Sequence, residues 1–298
     1  MTRYLAIVLP RPAGVCLHGR LSSNVMPHAT PIGAASPASM LQTAVRILLT
    51  CSALLLGACA ATEENVNSGL WHYKAGLYGQ AAPKLVRAVP DLEKSNPSDP
   101  RVLSGYLALG RMAAADAAYE PAAGYFDKAL QLARARHAAD VTLTRNALVE
   151  TGNFLNERKR FLDAIPLLQE AASISQRDSS LPRTLHAMDL DNLALAHAGA
   201  GNQVLAMAAS DASLKTLDAL SPTKDVQATR GVVLYNRAYA LAEQGQVAAA
   251  DATYKEALSL VRANAAPWRT KVVVANYAKF LRTHGRDTEA LAIERAAE

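Results

Sequence analysis

Downstream of residue 68, apolar side chains recur at the three-and-four spacing of amphipathic helices, and that spacing is itself repeated along the chain. Each copy has a small residue in the middle of a first helix, a turn, an aromatic or apolar residue, an alanine three positions later, and a small residue seven positions after that. The clearest copy is LALGRMAAADAAYEPAAGYFDKAL, with Leu109, Gly110, Tyr119, Ala122, Phe126 and Ala129 in those places. Further copies hold Gly152, Phe161, Ala164 and Ala171; Ala194, Gly201, Ala206 and Ser213; Ala238, Gly245, Ala250 and Ala257; and Ala278, Gly285, Ala290 and Ala297. A weaker copy comes first, with Gly76, Tyr78, Ala81, Leu85 and Ala88. The key alanines are therefore Ala81, Ala122, Ala164, Ala206, Ala250 and Ala290, separated by 41, 42, 42, 44 and 40 residues. Pro97, Pro100, Pro182, Pro222 and Pro267 mark the seams, and no alternating β-type run competes. The pattern predicts about six helix pairs over 69–298.

This arrangement resembles the tetratricopeptide repeat (TPR), in which small side chains allow close helix contacts and larger ones fill the holes between. The usual repeat is about 34 residues long. Steps near 42 resemble the longer, kinesin-light-chain-like variety. The resemblance implies an all-α, right-handed helical-repeat solenoid whose first helices line a concave groove.

The region ahead of the repeats has a different character. ILLTCSALLLGAC, residues 47–59, is an apolar run ending on cysteine, of signal-peptide length and too short to span a bilayer. Leu56-Gly57-Ala58-Cys59 resembles the lipobox of bacterial lipoproteins. That resemblance implies cleavage before Cys59, a covalent lipid on Cys59 as the membrane attachment, and placement in the bacterial cell envelope. The absence of Asp after the cysteine (Ala60 and Ala61 follow) points to the outer membrane, facing the periplasm. Met40 begins an ordinary signal peptide over 40–58, so 1–39 is either a disordered leader or an over-extended start. Residues 59–68 are expected to be a polar tether.

Processing would change the charge picture. The whole chain carries a net charge of +5, but residues 1–58 hold four arginines and no acid. From Cys59 onward, 27 basic residues face 26 acidic ones, which does not fit a general nucleic-acid binder. Of the three cysteines, Cys16 and Cys51 would be lost, leaving no disulfide and no cysteine metal site.

Candidate binding chemistry lies on the first helices. Asn192, Asn236 and Asn276 occupy one register, two before the small packing residue, where kinesin-light-chain-like repeats present an asparagine to bound peptide. An amide offers a donor and an acceptor to an extended backbone whatever its side chains are. Glu150 stands there in the third repeat, with Asn153 one turn on. The alternative is that these amides stabilise the repeats themselves. Lys279, Arg282 and Arg286 form a basic stripe on the last first-helix, suited either to an acidic peptide or to a solvated end face. Tyr235 and Tyr239 could form an aromatic wall or pack between repeats. Trp71 and Trp268 are expected to pack at the ends.

Catalytic signatures are weak. His186, Asp189 and Asp191 in HAMDLD are the nearest approach to a metal cluster, without a second histidine or an HExxH spacing. No GxSxG, Walker loop or dinucleotide fingerprint is present. The expected molecule is a non-enzymatic scaffold without cofactor or metal, binding a protein or peptide partner and no nucleic acid. Such repeat lipoproteins, by resemblance, serve envelope assembly or secretion machines. Alternatives are a regulator of a cell-wall enzyme, a metal-dependent hydrolase built on HAMDLD, and a cytosolic repeat-type sensor.

Overall fold

A computed structural model of the chain describes residues 59–135 and 140–297. The segments 1–39 and 40–58, with Leu56, Gly57 and Ala58 of the lipobox, lie outside the described residues. Among the described residues all regular structure is helical. Residues 59–74 form α1. There follow α2 (Tyr78–Ser95), α3 (Pro100–Ala115), α4 (Tyr119–Ala135), α5 (Val141–Glu157), α6 (Phe161–Arg177), α7 (Arg183–Gly199), α8 (Gln203–Asp218), α9 (Lys224–Glu243), α10 (Val247–Asn264), α11 (Pro267–Thr283) and α12 (Asp287–Arg295). Odd-numbered helices are the first helices of six pairs and even-numbered ones the second, as the periodicity predicts.

Every pair turns the same way. Five residues before each repeat alanine the backbone has positive φ: Gly76 (75°), Ala117 (59°), Lys159 (61°), Gly201 (80°), Gly245 (71°) and Gly285 (72°). The next amide then donates to the carbonyl five residues back, as in Leu77 to His72 (2.8 Å), Arg160 to Leu155 (2.8 Å) and Gln246 to Leu241 (3.0 Å). This is the Schellman closure, which satisfies carbonyls that the end of a helix leaves without partners. Several first helices are also capped at their start. Asp99 accepts from the Arg101 amide at 2.8 Å with Pro100 in the first turn, and Asp140 accepts from the Leu143 amide at 2.9 Å.

The repeat alanines lie inside the helix contacts. Ala81, Ala122, Ala164, Ala250 and Ala290 are fully buried and Ala206 nearly so. Where the second helix inserts a larger side chain, the first helix must be small. A methyl group on Gly152 would lie 2.7 Å from a Leu168 methyl, so glycine there admits the leucine of its own second helix.

The described chain divides within α4 into two compact units. In residues 59–125, Val66, Leu85, Val89, Leu92 and Leu103 form a buried core. The tether expected at 59–68 is instead the first half of α1. Val66 is buried, Glu63 and Asn67 accept from Arg101 at 3.0 and 3.1 Å, and Lys84 donates to Ser68 at 2.6 Å. A helix with one apolar anchor and three cross-links is held by its neighbours, although its sequence is polar. Trp71, expected to pack, is 63% exposed and meets His72 edge to face, because Val66 and Leu85 already fill the buried side.

In the unit from Phe126 onward, each second helix packs against its own first helix and the next one: α6 on α5 and α7, α8 on α7 and α9, α10 on α9 and α11. The first helices also touch directly, α5 with α7 and α7 with α9. The first helices α5, α7 and α9 thus lie side by side. Toward the C-terminus the core is aromatic. Tyr254 stacks on Tyr277 with centroids 5.1 Å apart, and Phe280 lies 5.3 Å from Tyr254. Tyr235 is buried in this cluster, so it packs between repeats.

Candidate functional site

The asparagine register lies deeper than its sequence suggests. Asn236 is buried on α9, and its Nδ2 donates to Oδ2 of Asp191 on α7 at 2.7 Å. Asn276 is half-buried and donates to the carbonyl of Val272, one turn back on its own helix, at 2.9 Å. Asn192 is half-buried, and its backbone carbonyl receives a long contact, 3.5 Å, from the amide of Asn156 on α5. In this register, two side-chain amides are committed to the protein itself.

The accessible row is one turn further along the same helices. Asn153, Leu195, Tyr239 and Lys279 each stand eleven residues before a repeat alanine. The first three are half-buried and Lys279 is exposed. The row presents an amide, an aliphatic group, a phenol and an ammonium in succession on α5, α7, α9 and α11.

Two of the three cations of the basic stripe are paired within the fold. Arg282 grips Glu294 on α12 with two bonds, 2.8 and 2.6 Å. Those bonds hold the Glu294 carboxyl below the ordinary carboxylate range. Arg286 binds Glu289 at 2.6 and 2.7 Å and reaches Asp251 on α10 at 2.7 Å. Burial works against the Asp251 charge, but bonds from Lys255, Tyr277 and Arg286 outweigh it and hold the carboxyl at about 2. These ion pairs fasten α10, α11 and α12 together.

HAMDLD is interior, and its three polar side chains face different partners. His186 Nδ1 lies 3.1 Å from Ser175 Oγ, and burial, then the Arg183 charge, depress its basicity. Asp189 is fully buried and receives the guanidinium of Arg145 from α5, through Nε at 2.8 Å and through a second bond from Nη2. Asp191 is buried with Asn236 as its hydrogen-bond donor, and burial pushes its carboxyl up to about 7. Among the described residues no group of three or more His, Cys, Asp or Glu side chains is placed to hold a metal ion. Arg145 and Asn156, which join α5 to α7, were not singled out from sequence. The available signal was a charged residue inside the apolar stretch of α5.

No family model matches the chain, and no curated protein matches it in sequence. Solved structures do resemble its fold. BtubC (BKLC) from P. vanneervenii matches with a TM-score of 0.54 at 16% identity, over 80% of this chain and 89% of that one. A putative kinesin light chain from Podosopora anserina, built of nearly identical TPR-like repeats, matches with a TM-score of 0.55 at 14% identity, over 70% of this chain and 99% of that one. Aspartyl phosphate phosphatase F from Bacillus subtilis matches with a TM-score of 0.60 at 13% identity, over 80% of this chain and 59% of that one. The fold is therefore that of a TPR-like helical-repeat protein.

Proposed function

We propose that the chain is a non-enzymatic protein-interaction scaffold, anchored by a lipid on Cys59 at the outer membrane of a bacterial cell and facing the periplasm, where it holds an extended segment of a partner for an envelope assembly or secretion machine. The observation that carries this reading is one register of the first helices that stays accessible in four successive pairs: Asn153, Leu195, Tyr239 and Lys279. A row of mixed polarity with regular spacing suits a peptide better than a small substrate. The lipid rests on the lipobox pattern and on Cys59, which is exposed. Among the described residues no helix is long and apolar enough to cross a membrane.

The test is photocrosslinking in cells from positions 153 and 195, with position 236 as the buried control. A discrete adduct from the first two alone supports the reading, and its mass-spectrometric identity names the partner. Equal adducts from all three positions, or none from 153 and 195, would overturn the peptide-binding row. Incorporation of labelled palmitate that persists in Cys59→Ala would overturn the anchor.

A further inference from the structure

The contact between the fourth and fifth helix pairs contains a carboxylate with weak compensation. Asp191 on α7 is 4% exposed and bonded by one neutral amide, that of Asn236 on α9. Its neighbour Asp189 shows the contrast: equally buried, it holds a guanidinium fork from Arg145. The charged groups on the helices around Asp191 are engaged elsewhere. Arg145 of α5 is taken by Asp189, and Arg237 of α9 reaches outward to Asp211 of α8 and, at 3.4 Å, to Ser210.

The space beside the carboxylate is small and its exposed lining mostly apolar. A narrow crevice between α7, α8 and α9 is lined by residues that include Asp191, Ala194, Ala206, Ser210, Asn236 and Arg237, whose guanidinium is bonded to Asp211. Four residues after the repeat alanine, the first, second, third and fifth pairs fill the hole with Leu85, Phe126, Leu168 and Tyr254, whereas the fourth pair has Ser210. The small serine leaves room for about one water-sized group beside the carboxylate. A buried anion served by a single neutral donor is costly, while the neutral acid in the same place is not.

We propose that Asp191 is a proton-operated joint between the fourth and fifth helix pairs: protonated, it closes the α7–α9 contact; ionised, after giving its proton to solvent, it loosens that contact and admits water to the crevice. Leu195 and Tyr239 stand on these same two helices, so the joint sets how firmly that part of the accessible row is spaced. It operates around neutral pH, because burial brings the carboxyl to about 7.

The test is hydrogen exchange by mass spectrometry on the purified full chain at pH 5.5 and 8.0, corrected for intrinsic exchange rates. Relative to Asp191→Asn, wild-type protection in α7 and α9 should fall by about thirtyfold between the two, the factor set by 1.5 pH units of linked ionisation, with α5 and α12 changing far less. Asp191→Asn should remove that fall and leave in α7 only the opposite trend of the buried His186 and His197, which lose protection toward acid pH. A uniform change along the chain, or the same α7–α9 response in Asp191→Asn, would overturn the joint. Should that variant not fold, the carboxyl carbon resonances of ¹³C-aspartate-labelled wild type decide the matter. One aspartate titrating above about pH 6 is expected; all titrating near pH 4 would sink the proposal.

Discussion

Nε of Arg145 donates to Oδ2 of Asp189 at 2.8 Å across the contact of α5 with α7, with both side chains removed from water. This fork joins the third and fourth helix pairs through two of the first helices that carry the accessible row. Losing one partner strands the other as a buried, unmatched charge, whereas losing both leaves only a packing problem. Asp189→Leu and Arg145→Leu are each expected to cost about 3–5 kcal/mol, and the double variant Arg145→Leu/Asp189→Leu less than either. Urea unfolding of the four proteins checks this; additive losses would show that the fork is not a coupled unit.

Ala117 and Lys159 adopt the left-handed backbone that glycine supplies in the other four intra-pair turns. A side chain at positive φ costs roughly 1–2 kcal/mol, partly offset by the freedom glycine adds to the unfolded chain. Ala117→Gly and Lys159→Gly should each stabilise by about 0.5–1 kcal/mol. Gly201→Ala and Gly245→Ala should cost a similar amount. Thermal or urea midpoints decide, and a loss of stability in both glycine variants would count against the turn assignment.

These turns also show how much of the fold was legible in the sequence. The alanine periodicity placed all six pairs, because a close helix contact tolerates almost nothing larger and so leaves its mark on the sequence. Four turns announced themselves through Gly76, Gly201, Gly245 and Gly285; Ala117 and Lys159 did not, because a cost of a kilocalorie or two is small enough for the fold to override. The binding row was less legible. Asn236 matched the expected peptide-facing register, yet its amide goes to Asp191, forty-five residues away in sequence. The cations Arg282 and Arg286 looked available until Glu294, Glu289 and Asp251 were placed beside them. Hydrophobic spacing encodes which face is inside, but not which polar groups spend their hydrogen bonds on one another.

Ala164 and Ala250 test the packing rule directly. Both are fully buried at the crossing of a second helix with its first. Ala164→Leu or Ala250→Leu should overpack the contact and cost about 1–3 kcal/mol, with α-helical content retained in the surviving folded protein. Leu162→Ala is the matched control, since Leu162 is 74% exposed two residues before Ala164, and it should stay within about 0.5 kcal/mol of wild type. Circular dichroism during urea unfolding measures both. An unchanged midpoint in both leucine variants would mean that the alanine periodicity does not mark the tight contacts.

The pH dependence of stability should carry two opposed slopes. His186 and His197 are buried, and desolvation lowers their pKa below the ordinary value of 6.5. The unfolded chain therefore takes up protons first, and their contribution is present above about pH 6.5 and lost as the pH falls. Asp191 works the other way. Burial raises its pKa from 3.8 to about 7, so the folded chain holds the proton more tightly, and stability falls as the pH rises from about 4 to 7. The full Asp191 contribution is on the order of 4 kcal/mol, large enough to oppose the histidines across that interval. Wild type should accordingly be more stable at pH 5.5 than the histidines alone would allow. Asp191→Asn keeps a neutral side chain beside Asn236 and removes that slope, so its stability should stay nearly level from pH 8.0 to about 6.5 and decline toward pH 5.0, while at pH 8.0 it should exceed wild type. His186→Gln, which preserves a hydrogen-bonding partner for Ser175, should flatten the acid side. Urea midpoints at pH 5.0, 6.5 and 8.0 for the three proteins separate these contributions, and a wild-type profile parallel to that of Asp191→Asn would show that the aspartate is ionised throughout.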